Sequence, residues 1–296
     1  MNDPLGTKGL EALIELRPKE PGYPRRLMRL RAPPDPLWLS GTLPEERTRC
    51  VAVVGTRRMT PYGNRIAREV SGGIVSAGAV VVSGLAQSID SVAHQAALDA
   101  GGRSIAVLGE GLLAFEQSGP LKRRRLARAI RERGALVSEY GLDFGAQTWT
   151  FPRRNLTIAA LADAVVVIEA PVGSGALITA DRAIELGRPV FAVPGPLGAS
   201  TWEGSNRYIA KRKAHLLVSA SDVLSPFGLA VPKALPRPVE SEAIDRALDL
   251  LASGAADADA IAASLGLPVA EATTLIADML LAGRIAATGD GRFARL

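Results

Sequence analysis

The chain has 296 residues, 47% hydrophobic and 22% charged, a balance that excludes a disordered chain and allows one large domain with a smaller companion. One cysteine, Cys50, and two histidines, His94 and His215, exclude an internal disulfide and leave little material for a metal centre, so no metal or cofactor is expected. The net charge of +5 is unevenly spread: residues 240–296 hold four basic against nine acidic residues, a net of −5, and the rest of the chain carries +10. A basic body with an acidic tail points to a polyanionic partner for the body alone. No apolar run reaches the roughly 18 residues of a membrane span, and residues 1–9 lack an apolar signal core, so a cytoplasmic protein without membrane contact is expected.

In chain order, residues 1–44 read as a short lead-in. It is rich in proline and basic residues, with a short helix over 9–16 and extended chain after it. A β/α alternation then fills residues 45–225. Strands are predicted at 51–54, 79–82 and 104–108, beginning at 136–137, and at 165–168 and 190–193. Helices are predicted at 61–77, 88–100, 121–133, 155–162 and 176–186. Short apolar strands separated by helices imply a largely parallel sheet covered on both faces. Pro226, Pro232, Pro236 and Pro238 mark residues 226–239 as a linker. Beyond it, residues 240–296 read as three short helices and a hairpin turning at Gly289, Asp290 and Gly291, the pattern of a winged helix. The expected fold is therefore α/β: an extended Rossmann-like domain with a parallel or mixed sheet flanked by helices, plus a small C-terminal winged-helix domain.

Ligands of such sheets meet the loops at the carboxyl ends of the strands. Those loops begin with Gly55, Thr56, Arg57 and Arg58, then Ser83, Gly84, Leu85 and Ala86, then Gly109, Glu110 and Gly111. Later loops run from 169 to 179 and through Pro194, Gly195 and Pro196. Glycine admits close backbone approach, and free amides at helix N-termini favour an anion such as phosphate. The stretch Trp149, Thr150, Phe151, Pro152, Arg153, Arg154, Asn155 is the sharpest local signal. If it is extended up to the proline, Trp149 and Phe151 share a face. Aromatic rings for base stacking beside guanidiniums for phosphates suit single-stranded nucleic acid. The basic run Lys122, Arg123, Arg124, Arg125 reads as a solvated helix surface, and His94 as a packing residue. The group Arg207, Lys211, Arg212, Lys213 lies near the ligand edge, where phosphate contact is plausible chemistry.

No GxGxxG follows the first strand, no Walker lysine loop occurs, and no GxSxG elbow is present. A non-catalytic protein is expected. The competing reading from another class is a nucleotide-binding enzyme of the phosphoribohydrolase type, whose Pro-Gly-Gly-x-Gly-Thr loop is partly echoed by Pro171, Val172, Gly173, Ser174 and Gly175. Ala176 stands in place of the threonine, and Glu185 lies downstream. A third reading is a sensor whose sheet edge binds a free nucleotide.

Taken together, the motifs resemble the DNA-processing protein A family (DprA, also called Smf). Over residues 23–224 the resemblance is carried in order by Gly55, Thr56 and Arg57 with Tyr62 and Gly63. Next come Ser83, Gly84, Leu85 and Ala86 with Ile89, Asp90, Ala93 and His94, then Phe151, Pro152, Arg153, Arg154 and Asn155. Ser174, Gly175, Ile178, Thr179 and Ala180, then Gly187 and Arg188, and Pro194 and Gly195 complete the series. The chain departs from the family pattern at Ser88, where glycine is usual before Ile-Asp. It departs again at Leu156 and Thr157 after Asn155. The resemblance implies a homodimeric Rossmann-like protein that binds single-stranded DNA and loads RecA recombinase onto it during natural transformation. Carried over by motif, Arg57 and Arg153 or Arg154 would hold phosphate, and Phe151 and Asn155 would lie at the strand pocket. Gly55, Thr56, Ser83, Gly84 and Gly175 would supply backbone or hydroxyl contacts, and Lys211 a further phosphate contact.

Overall fold

The computed structural model describes residues 13–232, 239–281, 283–288 and 290–296. Residues 9–12 of the predicted N-terminal helix, 233–238 of the predicted linker, and Gly289 of the hairpin turn lie outside the described residues. The chain divides into two compact units, Met1–Val231 and Pro232–Leu296.

The first unit is a nine-stranded mixed sheet flanked by helices. Its elements are β1 (Leu13–Leu16), β2 (Leu37–Gly41), β3 (Cys50–Val54), α1 (Pro61–Ser76), β4 (Val80–Ser83), α2 (Ile89–Asp99), β5 (Ser104–Leu108), α3 (Leu112–Ser118), α4 (Leu121–Arg133), β6 (Ala135–Ser138), α5 (Thr150–Leu161), β7 (Ala164–Val167), α6 (Gly175–Glu185), β8 (Val190–Ala192), α7 (Glu203–Ala210), β9 (His215–Leu216) and α8 (Ala220–Leu224). The strand order is β1-β2-β6-β5-β4-β3-β7-β8-β9. All neighbours from β6 to β9 pair in parallel, and β1 and β2 are antiparallel additions at one edge.

The β-branched runs explain the central strands. Every residue of β3 and β7 is buried, because alternate side chains enter cores on opposite faces. Ala52, Val54, Val165 and Val167 pack beneath α5 and α6 with Ile158 and Leu177. Val51, Val53 and Val166 pack beneath α1 and α2 with Val70, Ile74 and Ile89.

The lead-in is corrected by the structure. Residues Leu13–Leu16 are a strand, not a helix, and Leu37–Gly41 is a second strand, paired with β6 through Leu39 opposite Val137. Leu37 and Leu39 are buried, and Leu16 with them. Burying this alternating set on a preformed edge outweighs weak local helix preference in a four-residue segment.

The strand order has a physical consequence for ligand binding. From β3 the chain winds outward through β4, β5 and β6, then returns across the sheet to β7 on the other side of β3. The loops after β3 and β7 therefore diverge, and a crevice opens between them at the carboxyl edge.

The second unit contains α9 (Val239–Ala252), α10 (Ala258–Leu265), α11 (Val269–Leu281) and an antiparallel pair, β10 (Ile285–Ala287) with β11 (Phe293–Arg295). Its core is built from Ala247, Leu251, Ile261, Leu265, Ile276, Met279 and Ile285. Asp257 caps α10 by accepting from the Ala260 amide at 2.8 Å, and Gly266 ends it in the left-handed region. Among the described residues, no single helix is long and apolar enough to cross a membrane.

Candidate nucleic-acid interface

The crevice at the carboxyl edge is a cleft of about 500 Å³ lined by Gly55, Arg57, Asp90, Phe151, Arg154, Asn155, Ser174 and Gly175, among others. It is built from the loops after β3, β4 and β7 and from the first turns of α5 and α6.

The β3 loop is held by Glu169, which is wholly buried. Its backbone carbonyl accepts from the Thr56 amide at 2.7 Å. Its Oε2 accepts from the Thr60 amide at 2.9 Å and from Thr60 Oγ1 at 3.0 Å. Thr60 also caps α1, its Oγ1 accepting from the Gly63 amide at 3.1 Å. The two diverging loops are thus tied at their bases, and Arg57 is projected outward. Arg57 is exposed, with its guanidinium carbon 5.2 Å from the centroid of the Phe151 ring.

Phe151 is positioned by an unexpected helix start. The stretch 149–151 is not extended: α5 begins at Thr150, and Pro152 sits in its first turn, where the missing amide hydrogen has no intrahelical role. Thr150 Oγ1 anchors that turn by donating to the Gly109 carbonyl at 2.5 Å. Helical spacing sends Trp149 and Phe151 to different sides. Phe151 enters the cleft. Trp149, 53% exposed, packs edge-on against Tyr140 and Phe144 at 5.8 and 6.0 Å.

The floor is electrostatic. Arg154 is almost fully buried, and its Nη1 donates to the carbonyls of Gly84 and Val107, the latter at 2.6 Å. Burial lowers its pKa to about 10, with Asp90 opposing that shift, so it stays cationic at neutral pH. Asp90 Oδ2 accepts from the amides of Gly84 and Ala86 at 3.2 and 3.4 Å, while burial pushes its carboxyl upward. Gly84 is required here, because a Cβ on it would overlap the Arg154 guanidinium. At the opposite wall, Asn155 Nδ2 donates to the Gly175 carbonyl at 3.1 Å. Ser174 caps α6 by accepting from the Ala176 amide at 3.3 Å, which leaves the N-terminus of that eleven-residue helix facing the cleft.

Of the residues expected from sequence, Gly55, Arg57, Phe151, Arg154, Asn155 and Gly175 line the cleft. Thr56, Ser83 and Gly84 lie behind it; Ser83 Oγ donates to the Val53 carbonyl at 2.6 Å. Arg153 is exposed at the rim and bound to Glu139 at 2.6 Å. Lys211 caps the end of α7 and is not among the lining residues. Sequence reasoning gave no role to Asp90 or Glu169. Their signal is an acidic residue just beyond a glycine-containing βα loop, or ending a buried strand, where free amides need an acceptor. Among the described residues the one carboxylate lining the cleft, Asp90, is committed to two amides, so the exposed chemistry is a cation on an aromatic ring beside a helix N-terminus. That arrangement suits phosphate and a base face, not a metal ion.

Comparison with known proteins shows the family of the chain. The sequence profile of the family described as DNA recombination-mediator protein A matches residues 15–228. The chain is 38% identical over 280 residues to Protein Smf of Escherichia coli, covering 91% of this chain and 74% of the relative. It is similar to the X-ray structure of DNA processing protein A from Streptococcus pneumoniae, with 36% identity and a TM-score of 0.67 over 76% of this chain and 78% of that one. It also matches the structure of the Helicobacter pylori DNA processing protein A, described for its single-stranded DNA binding mode. There identity is 26% and the TM-score 0.63, over 73% of this chain and 95% of that one. The chain belongs to the DNA recombination-mediator protein A family.

Proposed function

We propose that the protein binds single-stranded DNA, without catalysis, along the carboxyl edge of its sheet. The observation that carries this is the Arg57 guanidinium held 5.2 Å from the Phe151 ring at the mouth of the cleft. It offers a cation to a phosphate and an aromatic face to a base in one unit, which is what sequence-tolerant single-strand binding uses. Arg154 supports the site from beneath, since both carbonyls it holds belong to the floor. Arg153 and Lys211, both exposed, would meet phosphates outside the cleft. The basic charge outside residues 240–296 supplies the long-range attraction.

By family membership the strand so held is protected and passed to RecA recombinase, as in natural transformation, by a homodimer in the cytoplasm. The domains proposed are a DNA-binding Rossmann-like domain at 45–225, whose sheet the 1–44 lead-in extends with β1 and β2, a linker at 226–239 and a winged helix at 240–296. That last domain is assigned to protein contact: α11, where a winged helix would read a groove, contains Glu271 and Asp278 and no basic residue.

The test is a mobility shift with an oligothymidylate and with duplex DNA, repeated with RecA present. Preferential single-strand binding that falls steeply between about 50 and 200 mM salt is expected, with RecA joining the complex. Wild-type affinity in both Arg57→Ala and Phe151→Ala would overturn the site. Salt-independent binding would overturn the phosphate-led reading, and a RecA-free complex the loading role.

A further inference from the structure

The helix α4 begins with the run Lys122, Arg123, Arg124, Arg125, which composition alone assigns to a solvated surface. The fold gives it a specific place. A crossover helix runs antiparallel to the strands it connects, so the first turn of α4 lies at the carboxyl edge of the sheet, the edge that carries the cleft. The contacts agree: Arg123 Nε donates to the Leu85 carbonyl at 2.7 Å, one residue along from the Gly84 carbonyl held by Arg154.

The loop after β4 is therefore gripped by two arginines from two helices. Leu85 has φ +52, an unusual conformation for a leucine, and its carbonyl is the one that Arg123 holds. Carbonyls ending a strand would present negative charge to a ligand. Here the Gly84 and Leu85 carbonyls are each covered by a guanidinium, which offsets their negative charge.

Arg123 is also braced for an external partner. Its guanidinium carbon lies 5.3 Å from the Phe115 ring centroid, and Phe115 is buried. Among the described residues, no hydrogen bond or ion pair engages its terminal nitrogens. The charged groups facing it are Glu110, the buried Asp90, Arg57 and Arg154, so one of its neighbours is the cation at the cleft mouth. Lys122 and Arg125 beside it are exposed and make no hydrogen bond or ion pair among the described residues. Arg124 is different, because it donates to the Glu116 carbonyl at 3.0 Å. Four cations in the first five residues of a helix also oppose its dipole, an arrangement that local stability does not favour.

We propose that the single strand does not end at the cleft but continues onto the first turn of α4, with Arg123 holding the phosphate beyond the one at Arg57 and with Lys122 and Arg125 flanking the path. This rests on the single-strand reading of the cleft.

The experiment measures oligothymidylate affinity of the full chain across about 50 to 200 mM salt, for wild type, Arg57→Ala, Arg123→Gln, Arg123→Lys and the double variant Lys122→Gln/Arg125→Gln. On single strands each phosphate contact contributes about 0.7 to the slope of log affinity against log salt. Arg123→Gln is expected to lower the slope by about 0.7, and Arg123→Lys to retain it. The double variant is expected to lower it by up to about 1.4, and it tests the path even if Arg123→Gln fails to fold. Unchanged affinity in Arg57→Ala would count against the cleft reading itself. Loss in Arg57→Ala with a wild-type slope in both the Arg123→Gln and the double variant would overturn the α4 path alone.

Discussion

Arg57, on the loop after β3, and Phe151, in the first turn of α5, lie nearly a hundred residues apart in the sequence, yet the guanidinium of one stands 5.2 Å from the ring centroid of the other. Among the described residues Arg57 has no ion pair, and the two side chains brace each other at the mouth of the cleft. Removing Phe151 should abolish a base-stacking face, worth about 1–3 kcal/mol, and also release Arg57 from its platform, worth about 0.5–1 kcal/mol at an exposed site. The Phe151→Ala and Arg57→Ala losses should therefore not add. A double-mutant cycle on oligothymidylate affinity should show the double variant weaker than either single, by less than the sum. Strict additivity would mean that the two side chains act on DNA independently.

Arg154 lines the same cleft but has a different job. It is buried with two carbonyls on Nη1 and with Asp90 as the strongest opposing charge acting on it. Arg154→Met would leave Asp90 buried without its cation and two carbonyls without a donor, a change in the class that costs about 3–5 kcal/mol. Arg57→Ala, which removes an exposed side chain and its contact with the Phe151 ring, should change stability by no more than about 1 kcal/mol. Urea unfolding of the two variants separates these outcomes, and equal midpoints would contradict the division of labour between the two arginines.

This contrast also shows what can be read from sequence. The strands β3 and β7 were legible because runs such as Val51 to Val54 can be buried on both faces only in a parallel sheet. The cleft loops were legible because small residues follow each such strand. The start of α5 was not. Pro152 reads as the end of an extended segment, and only its place in a first turn makes it helical. Nor were β1 and β2: β1 pairs only on β2, and β2 finds its place in the sheet on β6, about a hundred residues downstream. Burial of Arg154 was hidden for the same reason: an arginine reads as surface until the carbonyls of Gly84 and Val107 are known to converge on it.

His94 gives a pH prediction with a definite sign. Ser104 Oγ donates to the Val81 carbonyl at 2.9 Å, so at 2.7 Å from His94 Nδ1 it must accept, and the imidazole carries its hydrogen on Nδ1. Among the described residues, Nε2 is left buried without a partner. Burial, with Arg154 adding repulsion, lowers the pKa to about 3. The folded pKa lies below that of the unfolded chain, so the stability from keeping the ring neutral is complete above about pH 6.5 and is lost as pH falls toward the folded value. The loss from this one group approaches about 1.4 kcal/mol per pH unit below that point. His94→Asn keeps a donor toward Ser104 and removes the titration. Its urea midpoint should be lower at neutral pH but fall less between neutral pH and about pH 5. Parallel curves for the two proteins would show that His94 is not what makes the wild type acid-sensitive.

Ser88 stands where the family pattern has glycine, and its backbone explains why. It has φ +81 and ψ −121, a region that non-glycine residues occupy only under strain of about 1–3 kcal/mol. The serine brings a compensation: its Oγ accepts from the Met59 amide at 3.0 Å and so ties the loop carrying Arg57 and Arg58 to the start of α2. Ser88→Ala keeps the strain and loses the acceptor, which should destabilise the protein by about 1–2 kcal/mol. Ser88→Gly loses the same acceptor but relieves the strain, so its stability should stay within about 1 kcal/mol of wild type. The informative quantity is the difference between the two variants in chemical denaturation, since the missing hydrogen bond cancels and the backbone term remains. Both should weaken DNA binding to a similar degree, because both free the Met59 end of the Arg57 loop. Equal stabilities for alanine and glycine at this position would mean that the residue is unstrained and that the serine is a neutral replacement.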